Sequence, residues 1–278
     1  MNRSARLVAV FAVAAALLSA TGCQMLKARD QLNKGVQAYK SANYEQAIDH
    51  FRNAVRLDPQ LKVAKLYLAT AYTSQYVPGV ETKENIAMAE QAVEQYKAVL
   101  AEDAQNVTSL KGIAYLYMQM KRFDEAREYY KKSIAADPND PDVYYSIGVL
   151  DWTAVYKDTA DRKSKEGLKI DDEMKGKRDT KLCADIKAAN EDRADEGLSM
   201  LQNAMQKRQD YDDAMVYVNL IYLRKADMEC NDAEVRAQDR KMSEEWSNKA
   251  MDARKRKQEA AAKKSSGGIV LDTPDTKK

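Results

Sequence analysis

The stretch NYEQAIDHFRNAVRLDP, residues 43–59, returns as RFDEAREYYKKSIAADP at residues 122–138. In both, an alanine is followed at four residues by an aromatic, at seven by a small residue and at twelve by proline. The positions are Ala47, Phe51, Ala54 and Pro59, then Ala126, Tyr130, Ser133 and Pro138. Spacings of four and seven put the first three residues on one face of a helix, and the proline ends that helix. Weaker copies keep the register at Ala92, Tyr96 and Val99 and at Gly197, Leu201 and Ala204. A second helix type accompanies them, marked by Leu68, Ala69 and Tyr72, by Ile113, Ala114 and Tyr117, by Ile147 and Gly148, and by Val218 and Tyr222. Its small central residue lets a neighbouring helix approach closely, and the tyrosine fills the gap below it.

On these residues the chain resembles a tetratricopeptide-repeat protein over 28–258, with four clear repeats and a fifth, degenerate one. The resemblance implies an all-α fold in which helix pairs stack into a right-handed superhelix, with the first helix of each pair lining a concave face. The period shows where the pattern is interrupted. Ala47 to Ala92 is 45 residues, about 11 more than the family's period of roughly 34. The excess falls near 74–84, where Pro78 and Gly79 read as a loop. A larger excess lies in 157–193, where 21 of 37 residues are charged, a density that reads as a solvated inserted loop. A third insertion is read at 224–238, before a last helix over about 239–258, and residues 259–278 read as a disordered tail.

Composition narrows the function classes. The chain carries 45 Lys plus Arg against 43 Asp plus Glu, and this near-neutrality argues against a nucleic-acid binder driven by counterion release. Tyrosine dominates the aromatics, and Gly and Pro are scarce, which favours helices over sandwiches and barrels.

The amino terminus has a secretory layout: Arg3 and Arg6, the apolar run from Leu7 to Leu18, then Ser19, Ala20, Thr21, Gly22 and Cys23. The run is too short to span a bilayer as a helix. The residues Ala20-Thr21-Gly22-Cys23 resemble a bacterial lipoprotein box, although Ala20 stands where that family more often has leucine. The resemblance implies removal of 1–22 as a signal peptide, acylation of Cys23, and a short linker over 23–27. Two or three acyl chains on one residue would anchor the protein stably. Gln24 in place of an aspartate resembles lipoproteins retained at the outer membrane, facing the periplasm. The alternative is a soluble secreted protein in which Cys23 is incidental.

Cys183 and Cys230 form an even pair in a chain expected to face an oxidising compartment, so either a disulfide or two free thiols is allowed. His50, the single histidine, stands beside Phe51 without the partner groups a catalytic or metal site requires, and is read as structural or solvent-facing. No glycine-rich phosphate loop, paired-cysteine zinc spacing or nucleophile elbow is present, so no cofactor is expected.

The candidate site is the concave face that the repeat resemblance implies. Counted from the repeat register, it is lined by Leu66, Thr70 and Thr73 in repeat two, Lys111, Tyr115 and Met118 in repeat three, and Tyr145, Val149 and Trp152 in repeat four. Tyr, Trp and Met bring large contact area with few rotors, or adapt to irregular partners. Some members of the repeat family clamp a peptide's terminal carboxylate with Lys and Asn; Lys111 fits that pattern, while Tyr115 and Thr70 stand where Asn would be wanted. An apolar or aromatic segment of another protein is therefore the expected ligand. The run KAMDARKRKQEAAAKK at 249–264, with seven basic and two acidic residues, is read either as a solvated cap helix or as a contact with anionic headgroups. The expected function is a scaffold or adaptor, not an enzyme, anchored in the bacterial cell envelope. The alternative is an envelope enzyme or cofactor-binding protein with its site in 157–193.

Overall fold

A computed structural model describes residues 23–174 and 176–266. The signal-peptide reading of 1–22 and the end of the tail, 267–278, lie outside these residues. The described chain is all-helical. Helix α1 covers 23–40, and it is followed by α2 (Tyr44–Leu57), α3 (Lys62–Gln75), α4 (Lys83–Leu100), α5 (Val107–Gln119), α6 (Phe123–Ala136), α7 (Pro141–Lys165), α8 (Gly176–Lys207), α9 (Asp212–Met228) and α10 (Ala233–Ser266). No described helix is long and apolar enough to cross a membrane. The chain divides into two compact units, one ending at Pro138 and the other beginning at Asn139.

In the first unit each helix packs on the next, and α3 also touches α5. The repeated alanine, aromatic and small positions are its core: Ala47, Phe51, Ala54, Ala92, Tyr96, Val99, Ala126, Tyr130 and Ser133 are all buried. Burial of a side chain such as Phe51 is worth about 1.5–3 kcal/mol. A Cβ on Gly112 of α5 would lie 2.5 Å from the Tyr96 ring of α4, so the missing side chain is what lets those two helices close.

Local chemistry ends the helices where the pattern says. Asn43 caps α2 by accepting from the Gln46 amide, and Asn106 caps α5 through the Ser109 amide. At the end of α1 the Asn43 amide reaches back to the Ala38 carbonyl (2.9 Å) with Ala42 at φ 58°; at the end of α5 the Arg122 amide reaches Tyr117 (2.8 Å) with Lys121 at φ 60°. These are left-handed closing turns built without the glycine that usually supplies them.

In the second unit α7, α8, α9 and α10 pack in order, and α7 also touches α9. Val155, Ile186, Leu201, Val218 and Ile221 lie at the centre of its core. The segment 157–193, expected as an inserted loop, is mostly helix. α7 runs on to Lys165, where Gly167 (φ 75°) and a bond from the Leu168 amide to the Lys163 carbonyl (2.9 Å) stop it, and α8 begins at Gly176. Some of its charges form pairs along and between helices, such as Arg162 with Asp158 (2.7 Å) and Lys187 with Glu229 (2.6 Å). Its few apolar residues, Ile186 among them, turn inward.

The other insertions are also shorter than the sequence suggests. α9 continues to Met228 and α10 starts at Ala233, so 229–232 is the turn within 224–238. In 74–84 the chain leaves helix only over 76–82, a turn closed by Asn85, whose side chain accepts from the Val77 amide and donates to the Val77 and Val80 carbonyls. The tail reading fails over 259–266, which α10 includes. Residues 23–27, expected as a linker, are helical and continuous with the rest of α1. Gln24, Met25, Leu26 and Lys27 are strong helix formers with no breaker among them, and Ala28 directly after them is fully buried.

Candidate functional site

The expected groove residues fall on three helices, one set in each of α3, α5 and α7. In the first unit Leu66, Thr70 and Thr73 are half-buried on α3. Both threonines turn their hydroxyls back onto their own helix: Thr70 donates to the Leu66 carbonyl and Thr73 to the Ala69 carbonyl, each at 2.9 Å. On α5, Lys111 and Met118 are half-buried and Tyr115 is 38% exposed. Of these six, Tyr115 offers the largest open aromatic surface.

The second unit gathers more. On α7, Tyr145, Val149 and Trp152 are half-buried and follow one another at four and three residues, hence on one helical face. Tyr217 of α9 stands between the two aromatics, 5.6 Å from the Tyr145 ring and 5.2 Å from Trp152, edge-on to both. Tyr156 stacks beside Trp152 at 5.3 Å and is 39% exposed, while Tyr211 closes the other end 5.1 Å from Tyr145. The result is a run of five rings along α7 and α9, each in the range where edge-to-face or offset contacts are favourable.

The phenols at the closed end are held protonated. Burial, then the neighbouring Tyr217, pushes Tyr145 well above its ordinary range. Burial, then the hydrogen bond to Asp142, does the same to Tyr211. The Tyr211 hydroxyl donates to Asp142 (2.9 Å), whose carboxylate is also paired with Arg208 (2.8 Å). The face is therefore apolar and aromatic, with polarity confined to ring edges and a satisfied rim.

Tyr211, Tyr217 and Tyr156 are absent from the groove read off the sequence. The stretch YDDAMVY at 211–217 carried the signal, two tyrosines six residues apart around the start of α9. Counting residues within one helix cannot show which rings a neighbouring helix brings alongside.

The 76–82 turn creates a second feature the sequence missed, a shallow cavity of about 270 Å³ lined by Tyr76, Val80, Ile86 and Met120. Glu81 and Lys121 stand 3.4 Å apart at its rim.

The remaining candidates take structural roles. His50 Nδ1 is 2.8 Å from the Gln31 side-chain oxygen, joining α2 to α1. Cys183 of α8 and Cys230 of the 229–232 turn form a disulfide, with Cα atoms 6.0 Å apart. The basic run of α10 is tied back to the start of α9: Arg254 pairs with Asp212 (2.9 Å) and Asp213 (3.2 Å), Lys257 with Asp212, and Arg256 with Asp210. Among the described residues no group of His, Cys, Asp and Glu is placed to hold a metal ion.

A Tetratricopeptide repeat family profile matches residues 88–147. The chain carries tetratricopeptide repeats. Solved structures with a similar fold include a crystal structure of MamA, at TM-score 0.55 and 13% identity, covering 81% of this chain and 96% of that one. Another is MamA from Desulfovibrio magneticus RS-1, at TM-score 0.54 and 14% identity, covering 82% and 96%. No curated protein matches the sequence. In the vocabulary of the repeat, α3, α5, α7 and α9 are first helices and α4, α6, α8 and α10 second helices. The aromatic run thus lies on the first helices of the last two repeats.

Proposed function

We propose that this tetratricopeptide-repeat chain is a lipid-anchored adaptor of the bacterial cell envelope, tethered through Cys23, which holds a segment of another protein against the aromatic face of α7 and α9. The repeat fold is a protein–protein interaction scaffold. One observation carries the choice of face: Trp152 is half-buried, flanked on one side by Tyr217 and on the other by the 39%-exposed Tyr156. Rigid, partly exposed aromatics on packed helices present contact area at little entropic cost, the property of binding hot spots. An apolar or aromatic partner segment suits such a face better than a nucleic acid, which the near-neutral charge also disfavours. Lipidation and the place at the outer membrane rest on the residues around Cys23 and on Gln24.

The adaptor reading is non-enzymatic. The alternative of a catalytic or cofactor site in 157–193 has no observation in its favour. Buried Lys163 of that segment is engaged with the Ile170 and Asp172 carbonyls and with Asp227 of α9, and the cavity beside Met174, Asp227 and Cys230 is about 10 Å³, the scale of a single water.

A photoreactive residue at position 152 or 115, introduced in cells, tests the reading. The expected result is one dominant protein adduct from position 152 that disappears in a Tyr217→Ala background. Adducts to nothing but the chain itself would overturn it. The mass of the Cys23 peptide from the native protein tests the anchor separately.

A further inference from the structure

We infer that residues 23–29 of α1 carry a membrane-contacting surface, on which Leu26 enters the interface of an anionic bilayer while Lys27 and Arg29 meet its headgroups. The inference rests on the anchor reading of Cys23 and goes beyond it, because a lipid on a flexible linker would leave the protein surface unconstrained. No such linker exists here: residues 23–40 form one helix, and that helix is fixed to α2 by the Gly35–Phe51 approach and the His50–Gln31 bond.

Geometry then decides what the anchor brings to the membrane. Three residues of helix advance 300°, so Cys23 and Leu26 leave α1 on nearly the same side, while Ala28, fully buried, marks the opposite, core-facing side. Leu26 is 68% exposed. Cys23 is exposed and carries a free thiol. Leu26 lies only about 4.5 Å along the axis from Cys23. An acylated cysteine sits at the boundary between headgroups and acyl chains, and amphipathic segments bury their apolar faces roughly 5–10 Å into that boundary. With α1 lying along the surface, Leu26 reaches that interface on the same side as the anchor.

Charge is complementary. Lys27 and Arg29 are exposed on the same turns, and the nearby carboxylate of Asp30 is neutralised by Lys34 at 2.7 Å. Arg56, in the last turn of α2, adds a further cation on the antiparallel neighbour. Basic groups beside an anchor strengthen contact with anionic lipid. A bilayer, with an apolar layer directly behind a negative one, matches an exposed leucine flanked by Lys27 and Arg29.

The test uses the chain beginning at Cys23, coupled through that thiol to a maleimide-bearing phosphatidylethanolamine. The Cys183–Cys230 disulfide leaves Cys23 as the free thiol among the described residues. The conjugate is reconstituted in phosphatidylethanolamine–phosphatidylglycerol vesicles with or without brominated acyl chains. The tryptophan added by Leu26→Trp should lose fluorescence at least about twofold on bromination, as expected for a side chain at interfacial depth. That added by Tyr44→Trp, beyond the far end of α1, should not change. Indifference of the Leu26→Trp signal to bromination would overturn the inference. If native Cys23 bears no acyl mass, the anchor reading fails and this inference with it; an acylated Cys23 with an unquenched tryptophan at 26 removes the inference alone.

Discussion

The two units solve the same problem by different means. In the first, helices of 13 to 18 residues pair through small residues and rings, as Gly112 does with Tyr96, and left-handed turns close α1 and α5. In the second, α7, α8 and α10 run to 25, 32 and 34 residues. Their overhangs cannot be covered by the repeat's own apolar positions, and a buried ionic cluster and a disulfide hold them instead.

Lys163, fully buried, donates to the Ile170 and Asp172 carbonyls (2.7 and 2.9 Å) and faces Asp227 at 3.6 Å. Arg224 pairs with Asp227 (3.0 Å) and reaches the Ile170 carbonyl (3.2 Å). Burial pushes the Asp227 carboxyl up against the pull of Arg224 and Lys163, and pushes the Lys163 ammonium down against Asp227. Where the repeat keeps its period, apolar packing carries the core; where helices overrun it, polar clamps substitute for core, and those clamps are intolerant of losing one member.

The sharpest way to break this contrast is Lys163→Met. It strands two carbonyls and removes one partner of a buried ion pair, a loss on the order of 3–5 kcal/mol. Hydrogen exchange should rise across α7–α9 and stay unchanged in α2–α6; a uniform rise would mean the units do not hold their stability separately.

Reduction of the Cys183–Cys230 bridge comes next. It closes a sequence separation of 47 residues, and loops of this size are worth about 2–4 kcal/mol. Calorimetry with and without reductant should show the loss in the second unit's transition alone.

Gly112→Ala probes the first unit in turn, since its Cβ would meet the Tyr96 ring. Overpacking of this kind costs about 1–3 kcal/mol, read from urea midpoints. A neutral result would show that Tyr96 yields easily and that the close approach of α4 and α5 is not what sets their spacing.

The clamp between α9 and α10 adds a smaller, pH-dependent term. Burial alone would raise the Asp212 carboxyl, but hydrogen bonds from Lys257 and Arg254 outweigh it and hold the group below the usual carboxylate range. A depressed carboxylate stabilises the fold above its unfolded pKa of about 3.9, and that contribution is lost as pH falls through the lower folded value. Asp212→Asn should therefore cost about 1 kcal/mol near pH 7, with the difference from the parent chain fading in acid. A pH-independent cost would argue for packing rather than charge.

The smallest effect has the opposite sign. Ala42 and Lys121 occupy left-handed positions, where a Cβ is unfavourable, so Ala42→Gly and Lys121→Gly should each stabilise by about 0.5–1 kcal/mol. Thermal midpoints that fall instead would show that the side chains contribute contacts outweighing the backbone relief.

How far the sequence could be read follows the same division. Ala47, Phe51 and Ala54, and Ala126, Tyr130 and Ser133, announced helices, face and core together, because a helix repeats every 3.6 residues and the packing between neighbours in a repeat array is local. Tyr145, Val149 and Trp152 could be placed on one face by the same counting. The segment 157–193 resisted, since charge density reads as solvation until the partners are known. Asp158 accepts from Arg162 and Asn190, and Lys163 from within α7 binds carbonyls seven and nine residues on.

The sequence by itself therefore determined the helical repeat, its helix pairs and the small and aromatic positions that pack inside them. Those properties depend on residue type at fixed spacing. Only the tertiary structure decided that most of 157–193 and 224–238 is helical, that Cys183 meets Cys230, that Tyr217 stands between Tyr145 and Trp152, and that residues 23–27 are helical instead of a linker. Each of these depends on which groups distant in the chain lie side by side, and on what remains exposed after every helix has found its neighbour.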